Sequence, residues 1–221
     1  MKAMILAAGR GERMRPLTDV TPKPLLKVGG KALIEYSLEN LADAGFCDVI
    51  VNIAYLGWQI REFCGDGSRW DLSIQYSDEG ESALETAGGI VKALPMLSAQ
   101  AFLVINADVI CDYPLAHLRN VEFDLAHLVM IHNPPHHPAG DFSLDTDGQL
   151  GQGGERSLTF SGIGLYRPAM FDGIAVKPLK LRPVLDRAIA QKRVSGECYD
   201  GVWLDVGTPQ RLQSLATGMK L

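Results

Sequence analysis

An open, doubly wound α/β sheet is the fold this sequence predicts, on three observations. Strand-length apolar runs alternate with helix-length amphipathic runs from residue 2 to residue 105. Such alternation implies parallel pairing, right-handed crossovers and helices on both faces of the sheet. The first run is followed by a loop, 7–31, rich in Gly, Arg, Pro and Thr and too long to be a mere connector. After residue 125 the rhythm changes to shorter strands joined by loops, so the sheet is expected to be mixed, with a small β subregion. The whole describes a Rossmann-like single domain, 1–221, whose halves are 1–125 and 126–221.

Each element has its own reason. Lys2–Leu6 is apolar and short, a strand. Leu33–Ala44 carries apolar residues at 33, 34, 37 or 38 and 41, a helical spacing closed by Gly45. Asp48–Ile53 is β-branched and reads as a buried strand, and Gly57–Cys64 as a short helix. Leu72–Tyr76 is a strand, Leu84–Leu97 a helix, and Ala101–Ile105 a strand ending at Asn106-Ala107-Asp108. Then come a strand at Ala126–Ile131, a Pro/His loop at Asn133–Asp141, short strands at Asp141–Leu144 and around Leu150, and a strand at Thr159–Tyr166. A helix at Leu181–Gln191, a strand at Val202–Asp205 and a helix from Pro209 complete the order. Ligands of such sheets bind beyond the carboxyl ends of the strands. The 7–31 loop and Asp108 both leave such ends.

Composition narrows the partners. With 47% hydrophobic and 21% charged residues, the chain is neither disordered, collagenous nor a coiled coil. No apolar run approaches the roughly 20 residues that span a bilayer, so no membrane partner is expected. The N-terminus, Met1 to Gly11, reads as a first strand and loop rather than an export signal. Cys47, Cys64, Cys111 and Cys198 show no C-x-x-C spacing and are expected to be reduced and buried, in a cytoplasmic protein. Net charge is −5, which disfavours nucleic acid. Residues 10–31 nevertheless carry +4, which leaves −9 elsewhere. A cationic patch on an acidic protein points to a small polyanion.

Two familiar phosphate loops fail. A dinucleotide fingerprint starting at Gly9 would need glycine at Met14, and no Gly-Lys-Ser/Thr follows for a P-loop. What remains is physically suggestive. Small residues 7–11 let backbone amides approach a base or phosphate closely. Arg13 offers a planar, permanently charged fork, and Lys23 lies between Pro22 and Pro24, which restrict its backbone.

The spacing Leu6-x-x-Gly9-x-Gly11-x-Arg13, followed ten residues later by the lysine of Pro22-Lys23-Pro24, resembles the signature of the sugar-1-phosphate nucleotidyltransferases. Leu84-Glu85-Thr86-Ala87-Gly88-Gly89, Asn106-Ala107-Asp108 and Trp203-Leu204-Asp205-Val206-Gly207-Thr208-Pro209 are similar to further stretches of that family, in its order. The resemblance implies a fold of the nucleotide-diphospho-sugar transferase type whose β subregion binds the sugar. It implies that Arg13 and Lys23 act on a nucleoside triphosphate, and that Leu6, Ala8, Gly9, Gly11, Glu79 and Gly88 complete the nucleotide site. Asp108 and Asp205 would hold a divalent metal, Mg²⁺. Two carboxylates opposite a cationic loop suit that ion, which favours oxygen ligands and bridges phosphates. A carboxylate pair for acid–base hydrolysis competes, but it has no use for the arginine–lysine loop.

The chain is most similar to uridylyltransferases within the family, which implies UTP and a sugar 1-phosphate as partners and a monomer or weak homodimer. A guanylyltransferase on the same scaffold is the alternative, and an inactive sugar-nucleotide sensor the alternative of another class. Glu12 stands where many members have Thr or Ser, and a Glu-Lys pair that many carry before the sugar strand is missing. Arg156 is then the candidate for the sugar phosphate, and Gly140 and Gly162 match sugar-lining positions, although each reads equally as a strand-bend glycine. Glu79 or Glu81 could read a uracil N3–H. His136 and His137 read as an exposed loop pair, Trp203 either walls the site or packs, and Met14 plugs the underside of the loop.

Overall fold

The computed structural model describes residues 1–153 and 157–218. The elements, in chain order, are β1 (Lys2–Leu6), β2 (Lys27–Val28), β3 (Lys31–Ala32), α1 (Leu33–Asp43), β4 (Asp48–Ile53), α2 (Gly57–Cys64), β5 (Ser73–Asp78) and α3 (Glu85–Ala93). There follow β6 (Phe102–Asn106), β7 (Val109–Cys111), β8 (Ala126–Ile131), β9 (Phe142–Leu144), β10 (Leu150–Gly151) and β11 (Ser157–Tyr166). The last are α4 (Leu181–Ala190), β12 (Val194–Tyr199), β13 (Trp203–Asp205) and α5 (Pro209–Gly218).

β1 lies between β4 and β6, parallel to both, with Met4 opposite Ile50 on one side and Val104 on the other. β5 extends this parallel half beyond β4. Alternation along β1 separates two cores. Ala3 and Ile5 pack with Ile34, Leu38 and Leu41 of α1 and Ile60 of α2. Met4 packs with Ile90 of α3 and Val184, Leu185 and Ile189 of α4. Helices therefore cover both faces, as a doubly wound sheet requires.

The sheet is mixed. β11 runs antiparallel to β6 and β8, and β12 runs parallel to β8. A parallel pair needs a long crossover. Between Ile131 and Ser157 the described chain forms only the β9–β10 hairpin, so β11 returns reversed.

Three departures from the sequence reading have local causes. β12 was not anticipated, because Gly196 and Glu197 interrupt its apolar pattern. Gly196 is needed where it stands, since a Cβ there would lie 2.7 Å from the Leu128 carbonyl oxygen. α3 ends at Ala93 rather than Leu97, where a 3-10 turn at Leu94–Met96 holds Pro95. β7 was also missed, being three residues long.

The 7–31 loop is ordered by a core of its own. Met14, fully buried, packs with Leu26, Val28, Leu33, Tyr36, Ile110 and Val206, and Leu204, Leu212 and Leu215 lie against this cluster. The plug expected at Met14 thus fastens the loop to α1, β7, β13 and α5. Among the described residues no helix is long and apolar enough to cross a membrane. The expectation of four buried thiols holds for Cys64 and Cys111 only, because Cys47 and Cys198 lie on exposed backbone at strand margins.

Burial pushes the Cys64 thiol up to about 12 and the Cys111 thiol up to about 11. Two thiols per chain should therefore react with a disulfide reagent near pH 8 in the native protein, and the other two only after denaturation. Four rapid native equivalents would contradict this packing. Met14→Ala should lower stability in urea by about 2–4 kcal/mol, the cost of a cavity in a small core; an unchanged midpoint would deny Met14 its anchoring part.

Candidate active site

A cleft of about 560 Å³ opens at the carboxyl ends of β1 and β6. Its floor is built by one buried amide. Asn52 Oδ1 accepts from the Ala7 N–H at 2.7 Å, and Asn52 Nδ2 donates to Glu79 Oε1 at 2.6 Å. Glu79 Oε2 accepts from the Leu84 N–H at 2.6 Å. This chain of bonds joins the loop after β1, the end of β4, the segment after β5 and the start of α3. Glu79 is buried with both oxygens engaged, so its first work is to position the 83–86 wall. Glu81 is exposed and stands apart from the lining.

Leu6, Ala8, Gly9, Gly11, Arg13, Lys23 and Glu79 all line the cleft. Two glycines differ in kind. Gly11 has φ +65°, and a Cβ there would meet Thr18 Cγ2 at 2.9 Å and Lys23 Cβ at 3.1 Å. Thr18, itself buried, donates its hydroxyl to the Gly11 carbonyl at 2.9 Å. Gly11 therefore lets the Lys23 limb close on the loop. A Cβ at Gly9 would meet nothing within 4 Å, so the protein's own packing does not require that glycine. Arg13 is exposed and, among the described residues, makes no ion pair, whereas Arg10 lies over the Tyr55 ring at 5.4 Å.

Gly88 is placed otherwise. It does not line the cleft: a Cβ there would come within 2.2 Å of the Lys177 carbonyl oxygen, and its N–H donates to the Leu179 carbonyl at 3.2 Å. Its smallness packs α3 against the 177–179 segment. Gly162 (φ +86°) forms the bulge of β11, where a Cβ would meet Asn106 Nδ2 at 2.4 Å. Gly140 (φ +64°) closes the 133–141 loop against Asn133 and Ser157. Both have internal reasons to be glycine, and neither lines the cleft. Arg156 lies outside the described residues. Trp203 donates its indole N–H to the Ser161 carbonyl at 2.8 Å, fastening β13 to the β11 bulge.

The two aspartates come together through strand pairing. β13 lies antiparallel to β7 with Asp205 opposite Val109, and the Val206 N–H donates to the Asp108 carbonyl at 3.1 Å. Each carboxylate has a cation. Lys23, only 11% exposed at its side chain, donates to Asp108 Oδ2. Arg211 donates to Asp205 Oδ1, and His136 Nε2 lies 3.4 Å from the same oxygen. Asp108 and Gly207 line the cleft, and Asp205 stands just behind Gly207. An all-oxygen pair of this kind fits a hard divalent cation such as Mg²⁺, which keeps waters and takes further oxygens from phosphates.

Sequence reasoning missed Arg211 and set His136 aside. One signal pointed to Arg211. It lies in the first turn of α5, where the helix dipole disfavours a cation, so a specific acidic partner was to be expected. His136 reaches Asp205 only through the folding of a loop, which no local pattern reveals.

The profile of the nucleotidyl transferase family matches residues 2–220. The chain is 53% identical to an N-acetylmuramate alpha-1-phosphate uridylyltransferase of Neisseria meningitidis serogroup B, covering 100% of both chains. It is 32% identical to the mannose-1-phosphate guanylyltransferase catalytic subunit beta of Drosophila melanogaster, covering 62% of that protein. A solved structure from Bacillus anthracis, described provisionally as a glucose-1-phosphate thymidylyltransferase in complex with a sucrose, shares the fold with a TM-score of 0.84, over 100% of this chain and 97% of that one, at 20% identity. The match to the family profile spans the loop, both aspartates and α5, and the chain belongs to the nucleotidyl transferase family.

Proposed function

We propose that this protein transfers the uridylyl group of UTP to N-acetylmuramic acid 1-phosphate, giving UDP-N-acetylmuramate and pyrophosphate, in the cytoplasmic recycling of cell-wall sugars. The observation that carries this reading is the 53% identity over the whole of both chains. The guanylyltransferase relative stands at 32% and is a longer protein, of which this chain covers 62%.

On this reading residues 1–125 chiefly bind the nucleotide and 126–221 the sugar phosphate. The backbone of residues 6–9, with the 83–86 wall that Glu79 holds, receives the base, and Gly9 leaves room for it. Arg13 and Lys23 face the triphosphate. Gly140 and Gly162 shape the sugar side, and Arg156 is a further candidate there.

An oxygen of the sugar phosphate attacks the α-phosphorus of UTP. A P–O bond forms there, the bond to the β-phosphate oxygen breaks, and its electron pair leaves with pyrophosphate. The attacking phosphate is already anionic, so the protein supplies no general base. Its task is to bring two polyanions together and to stabilise charge on the leaving group. Lys23 gives a fixed ammonium and Arg13 a free guanidinium for this purpose. Asp108 and Asp205 would hold Mg²⁺, which when bound neutralises phosphate charge and orients the reacting groups.

Lys23→Ala and Asp205→Ala should each lower kcat by roughly 10²–10³, the usual loss when one preorganised charge is removed, with the circular dichroism spectrum unchanged. Near-normal turnover in either variant would take that residue out of the mechanism. A matrix of nucleoside triphosphates against N-acetylmuramate, N-acetylglucosamine, glucose and mannose 1-phosphates, with pyrophosphate as readout, should give its highest kcat/KM for UTP with N-acetylmuramate 1-phosphate. Preference for GTP with mannose 1-phosphate would establish a guanylyltransferase instead. Saturable UTP binding without pyrophosphate release on any sugar would indicate an inactive sensor.

A further inference from the structure

Two acid–cation pairs stand on the paired strands β7 and β13 and their margins, and they are not equivalent. Lys23 on Asp108 belongs to the loop that also carries Arg13, the side assigned above to the triphosphate. Arg211 on Asp205 comes from α5, at the other end of the chain. The four charges of the two pairs sum to zero, so in this state the aspartates and their partners present little net field to an anion. A divalent ion held by Asp108 and Asp205 would change that balance. An ion held there would compete with Lys23 and Arg211 for those carboxylates, and to the extent that it displaced them two cations would become available for two different phosphates.

The position of Arg211 suits the second of these. Gly207 lines the cleft, and a Cβ there would lie 2.9 Å from Arg211 Nη1 and 3.1 Å from Asp205 Oδ2. No side chain at 207 separates the pair from the cleft. The Arg211 side chain is 27% exposed, and His136 lies beside the same carboxylate oxygen at 3.4 Å. In the first turn of α5 a cation works against the helix dipole, so, among the described residues, it is Asp205 that holds the Arg211 side chain there, in a pair that can be exchanged. A guanidinium matches the oxygens of a phosphomonoester with a planar fork.

We infer that Arg211 is the phosphate-binding residue for the sugar 1-phosphate, held by Asp205 in the free protein and transferred to the substrate's phosphate when a divalent ion takes that carboxylate. The inference rests on the nucleotidyl-transfer reading and assigns a residue to its second substrate.

Arg211→Ala and Arg211→Lys test it, in steady-state assays with UTP and N-acetylmuramate 1-phosphate and by Mn²⁺ titration of the free protein by electron paramagnetic resonance. Arg211→Ala should raise KM for the sugar phosphate by about 10–100-fold, the scale of one charge-assisted hydrogen-bonded contact. KM for UTP should stay within about threefold, since the triphosphate contacts are elsewhere, and Arg211→Lys should recover part of the loss. Mn²⁺ should bind Arg211→Ala more tightly than wild type, because a competitor for Asp205 has gone. Weaker Mn²⁺ binding, with both KM values raised together, would overturn the inference and leave Arg211 as a mere support for Asp205. An unchanged KM for the sugar phosphate would overturn it as well. If the wild-type protein releases no pyrophosphate with any sugar 1-phosphate, the proposed function fails. The exchange is then judged on Mn²⁺ alone: tighter binding in Arg211→Ala supports it, and equal or weaker binding overturns it.

Discussion

The pairing of β7 with β13 is the constraint on which the site depends. It sets Asp205 opposite Val109 and bonds Val206 to the backbone of Asp108, so two carboxylates distant in sequence end on neighbouring strands. Like charges so placed raise each other's energy unless something cationic intervenes. The fold meets this from two directions, with Lys23 from the first long loop and Arg211 from the last helix. Both suppliers are anchored in one small core, in which Met14 of the loop and Leu212 and Leu215 of α5 meet Ile110 of β7 and Val206, just past β13. Packing and electrostatics therefore support each other here. The apolar cluster holds the limbs that carry the cations, and the cations relieve the repulsion that the strand pairing creates.

The opposite wall follows a different logic. Asn52 and Glu79 are buried polar groups whose donors and acceptors are used to tie four segments together. A buried amide left without partners would be costly, and here each bond also fixes a backbone that lines the cleft. The wall is consequently rigid where a planar ring would need a defined slot. The other side keeps its cations in exchangeable pairs.

Much of this was legible in the sequence, and the failures are instructive. β1, β4, β8 and α2 fall on the expected residues, the strands because they are short and largely apolar, and α2 because Gly57, Ile60 and Cys64 recur at helical spacing on its buried face. β12 was hidden by Gly196, a residue chosen for the close approach of the Leu128 backbone rather than for strand propensity. The local spacing of Gly9, Gly11, Arg13 and Lys23 was enough to place them together, since the loop that carries them is continuous. At Gly88 the structure adds a packing reason for glycine that the local sequence does not show, since a Cβ there would meet the Lys177 backbone. His136 meets Asp205 only through the folding of its loop, and Arg211, six residues past Asp205, shows itself in the sequence chiefly as a cation misplaced at a helix start.

The contrast between Gly9 and Gly11 has a consequence for how this loop can diverge. At position 11 a larger residue collides with Thr18 and Lys23, so architecture itself forbids the change. At position 9, which lines the cleft, a Cβ would meet nothing within 4 Å, so packing does not require glycine there. If that loop receives a nucleotide base as proposed, a lineage could abandon chemistry at a single codon and keep an intact, well-packed protein, so glycine at position 9 would record use rather than foldedness.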